Sequence, residues 1–147
     1  MDYSIKEILA LISHIHTSSQ DYSKKRLSNT KEGSFVSSHG FILFLLSKKS
    51  MTMGEISRAV NREKSTTTVL IRKLCNQGLV KMEENPQDKR SIILSLTPRG
   101  KKMNSLTSSI SKELLDLCYK DFSDDEKEEL LFLLKKMAKN LDQEKDR

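Results

Sequence analysis

Two short stretches gather the side chains best able to do chemistry. In Asn85-Pro86-Gln87-Asp88-Lys89-Arg90 the proline and the Asx residues favour a turn, and Lys89 and Arg90 crown it with positive charge. The other runs from Arg62 to Lys73, where Lys64, Ser65, Thr66, Thr68, Val69, Arg72 and Lys73 fall between apolar residues at helical spacing. Ammonium and guanidinium groups beside short hydroxyls suit phosphate oxygens and base edges, and a valine methyl can pack on thymine. The chain has no Gly-rich phosphate loop, no G-x-S-x-G, no H-E-x-x-H and no purposeful pair of carboxylates. The chemistry on offer is binding, and the chain reads as no enzyme.

The surrounding elements must position these groups. Residues 79–83 and 92–96 alternate as two short strands around the charged turn. Thr97-Pro98 then supplies an N-cap hydroxyl and a first-turn proline for a helix over residues 98–119. Thr52-x-x-Glu55 is a capping box opening a helix that ends near Val60, with Asn61 as its left-handed C-terminal residue. A tight turn at Asn61-Arg62 leads to a helix over residues 63–76, closed by Gly78. In it Thr67, Leu70, Ile71 and Leu74 share the core face, which turns the basic and hydroxyl side chains outward. Two helices so joined form a helix-turn-helix.

Upstream, Ile5, Ile8, Leu9, Ile12, Ile15 and Tyr22 give residues 4–27 an apolar stripe. Residues 28–38, with Gly33, form a polar loop, and residues 38–46 a short helix buried on most sides. Downstream, Ser123-x-x-Glu126 is a second capping box, opening a helix striped by Leu130, Leu133, Leu134, Met137 and Leu141.

The bulk properties agree with a binder of polyanions. One domain-sized unit of 147 residues carries a net charge of +6, unevenly spread. Residues 48–102 hold 13 Lys and Arg against 5 Asp and Glu; the rest of the chain holds 13 against 15. Such segregation is the footprint expected of a polyanion binder; charge alone would favour a solvated lysine-rich face, and its coincidence with the helix-turn-helix and the basic hairpin tips the reading to nucleic acid. The longest apolar run is Phe41 to Leu46, so no membrane segment is expected, and the opening residues lack a secretory layout. Two cysteines, Cys75 and Cys118, suit a cytoplasmic protein with buried, inert thiols. No cofactor or metal is expected.

A basic-tipped hairpin after a helix-turn-helix resembles the wing of a winged helix protein. Asp88-x-Arg90, five residues, then Leu96-Thr97-x-x-Gly100 is similar to the signature of the MarR family of bacterial transcriptional regulators. The motif match is strongest over residues 53–102, and the order of elements agrees over essentially the whole chain. The resemblance implies a mostly α fold with a small β-wing (α+β). Its winged helix-turn-helix lobe would span residues 35–100, flanked by dimerisation helices over residues 1–34 and 101–147.

The resemblance further implies a homodimeric, cytoplasmic repressor on a pseudo-palindromic operator of double-stranded DNA. The helix over residues 63–76 would enter the major groove. Arg90 would enter the minor groove, with Asp88 holding the tip. One departure concerns Val69 and Arg72, where many members have an arginine and an acidic residue. Arg72 therefore pairs with Asp88, reads bases itself or contacts only phosphate. A small aromatic or lipophilic effector would bind near His14, Tyr22, His39 and Phe41, although a helix-face histidine is more often structural. A zinc site would have to draw on His14, His16 and His39, since no histidine follows His39. A winged helix that binds another protein instead of DNA is the alternative.

Overall fold

The computed structural model describes residues 3–29 and 37–145, with the side chains of Ser37 and Ser38 outside the description. Most of the expected polar loop, Gly33 included, lies outside the described residues. The chain divides into two compact units, Met1–Leu114 and Leu115–Arg147.

In the first unit a 3-10 turn, Ile5–Glu7, leads into α1 (Ile8–Ser28). Ser4 starts this turn by donating its backbone N–H to Glu7 Oε2 at 2.8 Å. There follow α2 (Ser37–Lys48), β1 (Met51–Thr52), α3 (Met53–Ala59), α4 (Lys64–Asn76), β2 (Val80–Asn85), β3 (Asp88–Leu96) and α5 (Pro98–Cys118), whose last turn belongs to the second unit. The strands form an antiparallel sheet in the order β1-β3-β2. The two-residue β1, with Met51 opposite Leu94, is absent from the sequence expectation; so short a strand has no period to read.

Ile42, Leu43, Ile56, Ile71, Leu74, Leu79 and Leu94 are fully buried and build the core between α2, the helix-turn-helix and one face of the sheet. Each contributes about 1.5–3 kcal/mol of burial free energy. Val80 opposite Leu96 and Met82 opposite Leu94 set the register, which leaves Lys81, Glu83 and Ser95 on the other face. The short helix before the helix-turn-helix is less enclosed than its composition suggests. Phe41 and Phe44 stand 46% and 43% exposed in α2, with their rings stacked at 6.5 Å. An all-apolar sequence carries no periodicity from which the open side could be read.

Local signals explain the element ends. Thr52 Oγ1 accepts the Glu55 N–H at 3.2 Å and Glu55 Oε2 accepts the Thr52 N–H at 2.7 Å, closing the capping box. These bonds hold the Glu55 carboxyl below its usual pKa. Asn61 at φ 50° and Gly78 at φ 72° take the left-handed turns on either side of α4. At the start of α5, Thr97 Oγ1 accepts the Gly100 N–H at 3.0 Å and donates to the Gly78 carbonyl. The Thr97 N–H reaches the Leu79 carbonyl at 3.1 Å. Gly100 is required there: a Cβ on it would lie 2.0 Å from the Leu79 carbonyl oxygen.

The second unit contains α6 (Asp124–Lys145). Glu126 Oε2 accepts the Ser123 N–H at 2.7 Å and Ser123 Oγ accepts the Glu126 N–H at 3.2 Å, so the second capping box also forms. None of the α6 side chains is buried. Leu130, Leu131, Phe132, Leu133, Leu134 and Leu141 are all exposed. No helix among the described residues is long and apolar enough to cross a membrane.

Candidate nucleic-acid interface

Helix α4 sorts its side chains by period. Thr67, Ile71 and Leu74 point into the core, while Lys64, Ser65, Thr66, Val69, Arg72 and Lys73 are exposed. Thr67 is the polar member of the buried set, and its hydroxyl is satisfied by the Glu63 carbonyl at 3.1 Å. Thr68 is half-buried and spends its hydroxyl on the Lys64 carbonyl at 2.7 Å, so its methyl is the group left to the surface. Arg62 is exposed in the turn before α4. The outward row begins at the helix N-terminus, where backbone N–H groups and the dipole favour an anion.

The wing departs from the expected turn. Asn85 pairs with Asp88 across Pro86-Gln87, so Lys89 and Arg90 belong to β3 and not to the turn. Glu84 pairs with Ile92, which leaves Lys89, Arg90 and Ser91 without ladder partners on β2. They form a bulge. Side chains pin both of its ends: Asp88 Oδ1 accepts the Arg90 N–H at 3.0 Å, and Asn85 Nδ2 donates to Ser91 Oγ at 2.9 Å. Asn85 Oδ1 also accepts the Gln87 N–H at 3.0 Å. Asx chemistry was visible in the sequence as a turn signal, but bonds reaching across a bulge need the register, which the spacing alone does not give.

Among the described residues no ion pair engages the guanidinium groups of Arg72 or Arg90, and none joins Arg72 to Asp88. Asp88 serves the bulge backbone instead. Of the roles open to Arg72, the pairing with Asp88 is the one the geometry does not form. Lys89 and Arg90 are exposed.

The four residues expected near an effector do not share one environment. His14 and Phe41 are exposed, and Tyr22 is half-buried, bonded through its hydroxyl to Arg26 Nε at 3.3 Å. Arg26 also pairs with Glu113 at 2.8 Å. His39 is buried, and desolvation, with Lys73 adding a smaller repulsion, lowers its pKa. His16 is exposed and bonded to Gln20. No group of three or more His, Cys, Asp or Glu among the described residues is placed to hold a metal. Burial raises the pKa of the Cys75 thiol. Cys118 is exposed rather than buried as expected, and it is not part of the core cluster.

A buried-faced helix-turn-helix followed by a hairpin with a basic bulge defines a winged helix-turn-helix protein, and residues 36–100 match the family described as a winged helix DNA-binding domain. The chain is 28% identical over 109 residues to the HTH-type transcriptional regulator BilQ of Clostridium symbiosum, covering 74% of this chain and 76% of that one. Its fold is similar to a MarR transcriptional regulator from Methanosarcina mazei Go1, with TM-score 0.75, 25% identity, and 92% and 96% of the two chains covered. It is also similar to the MepR chain of a MepR–DNA complex from S. aureus, with TM-score 0.80, 22% identity, and coverage of 95% and 99%. Residues 36–100 thus carry a winged helix DNA-binding domain, set in a fold like that of solved MarR regulators. The matched domain and the fold are those of DNA-binding regulators.

Proposed function

We propose that the protein is a homodimeric repressor that reads a pseudo-palindromic operator. The exposed row on α4, from Lys64 to Lys73, above a fully buried Thr67–Ile71–Leu74 face is the observation that carries this reading. The row enters the major groove with Ser65, Thr66 and Val69 against base edges and Arg72 on guanine. Arg62, Lys64 and Lys73 meet phosphates, since a point-charge ammonium positions more than it specifies. Arg90 and Lys89 on the pinned bulge enter the minor groove, where negative potential is strongest over A·T pairs, and Asp88 shapes the backbone that presents them.

Residues 1–34 and 101–147 serve dimerisation in this reading, and residues 35–100 are the DNA-binding lobe. Ile5, Leu9 and Ile15 near the start and the α6 leucines near the end are exposed in the single chain, and a second subunit would cover them. Two-fold symmetry then spaces the half-sites by about one helical turn, roughly 10 bp. A small aromatic or lipophilic effector releases the DNA, and the exposed Phe41–Phe44 pair is the best-placed aromatic surface to receive it.

The test is binding of the purified protein to the DNA upstream of its own coding sequence at several salt concentrations, beside Arg90→Ala. Saturable binding that tightens as salt falls is expected, with the substitution weakening it and reducing the salt slope by about 0.9. Equal affinity for random duplex, with no effect of Arg90→Ala, overturns the reading.

A further inference from the structure

The first unit has a cavity of about 610 Å³ that the DNA-binding reading does not use. It lies between the end of α2, the start of α5 and the sheet face turned away from the core. Lys48, Lys49, Lys81 and Lys101 line it against one carboxylate, Glu83. Ser47, Ser50, Ser95 and Ser105 add hydroxyls, and no aromatic ring is present. The volume falls within the range of about 300–1,000 Å³ usual for small-molecule sites.

The lining specifies a ligand. Four lysines line one recess against a single carboxylate, and that carboxylate neutralises one of them: Lys81 Nζ pairs with Glu83 Oε1 at 3.0 Å. Lys48 is held by its Nζ 5.0 Å from the Phe44 ring, a contact that leaves its N–H donors free of a carboxylate. Among the described residues neither Lys49 nor Lys101 has an ion-pair partner. Asn104 adds the one amide side chain to the lining.

We infer that this cavity binds a small phosphorylated polyol. The phosphate sits among Lys48, Lys49, Lys81 and Lys101, and the ligand hydroxyls meet the surrounding serines. Ammonium groups on flexible stems suit a phosphate oxygen cluster, and the hydroxyl-rich walls suit a sugar or polyol better than an aromatic acid. The inference stands independently of DNA binding.

The test is calorimetric titration of the full chain, without DNA and at low salt, with fructose 1,6-bisphosphate, glucose 6-phosphate, glucose and sulfate. Saturable binding is expected in the order bisphosphate, monophosphate, then glucose and sulfate with none. Lys81→Gln/Lys101→Gln, on exposed side chains, is expected to weaken the bisphosphate by about tenfold or more, as for lost bonds to a charged group. Glu83→Gln removes the competitor for Lys81 and is expected to tighten it. Failure of both phosphorylated probes, sulfate binding as well as either, or wild-type affinity in the double variant each overturns the inference. A wild-type circular dichroism spectrum for each variant separates a lost site from a lost fold.

Discussion

Replacing Gly100 by alanine tests the junction between the wing and α5. The added Cβ would lie 2.0 Å from the Leu79 oxygen, 3.0 Å from its carbonyl carbon and 3.2 Å from Leu96 Cδ2. Side-chain carbons do not sit closer than 3.0 Å to such atoms, so the first turn of α5 and the Leu79 backbone must part by about 1 Å or more. That movement opens the Thr97 N–H bond to Leu79, now 3.1 Å, and strains the Thr97 hydroxyl bond to Gly78. Overpacking costs about 1–3 kcal/mol and the two weakened bonds about 1 kcal/mol each, while alanine's helix propensity returns about 1 kcal/mol. The net loss is about 2–4 kcal/mol, or about 5–15 °C in melting temperature for a chain of this size. Gly54→Ala is the control, because its Cβ would meet only the flexible end of Arg58, at 3.7 Å, and no strained φ. Thermal and urea unfolding at one protein concentration decide between the two sites. A Gly100→Ala protein as stable as Gly54→Ala would refute the packing argument.

Three further outcomes follow from the same geometry. Arg72→Ala should cost about 1–3 kcal/mol on the operator and relax the preference at one base position, whereas Lys64→Ala should weaken all duplexes alike; identical profiles in a competition assay over single-base operator variants would remove Arg72 from base reading. His39 has a folded pKa below its unfolded value, so the unfolded chain takes up the proton first and stability falls as pH drops below about 6.5. The melting temperature should decline from pH 7.5 to 5.5 in the wild type and decline less in His39→Gln, and parallel curves would assign the slope to other groups. Leu133→Glu, on an exposed α6 position, should leave the chain folded and shift sedimentation from dimer to monomer; an unchanged dimer would place the subunit interface elsewhere.

The parts of this fold that were legible in the sequence are those fixed by neighbours a few residues apart. Thr52 and Glu55, Ser123 and Glu126, Asn61, and the Thr97–Gly100 spacing each declare an element end through a local bond or a backbone angle. The same holds for α4, whose 3.6-residue period separated Thr67, Ile71 and Leu74 from the basic row. Long-range facts were not legible. Met51-Thr52 becomes a strand only because β3 arrives beside it, and Phe41 and Phe44 show which side of α2 is open only once the core is assembled. The candidate interface was named residue by residue, but its wing geometry was not. Whether Arg90 lies on a turn or in a bulge depends on how Asn85 pairs, and a one-residue change of register alters that without changing any residue type. The lysine-lined cavity was hidden for the same reason: Lys48, Lys81 and Lys101 lie far apart in the chain and meet only in the fold.

The bulge also separates two properties that a regular hairpin would tie together. In a plain ladder, adding or removing a residue near the tip slides one strand past the other and turns its buried side chains outward. Here the ladder from Val80–Leu96 to Glu84–Ile92 is anchored by core side chains, and Lys89, Arg90 and Ser91 lie outside its count. Those residues can change in number or charge while Met82 and Leu94 keep their places in the sheet. The wing is thus a mount with an exchangeable tip: residues 89–91 lie outside the ladder that holds the sheet beneath them.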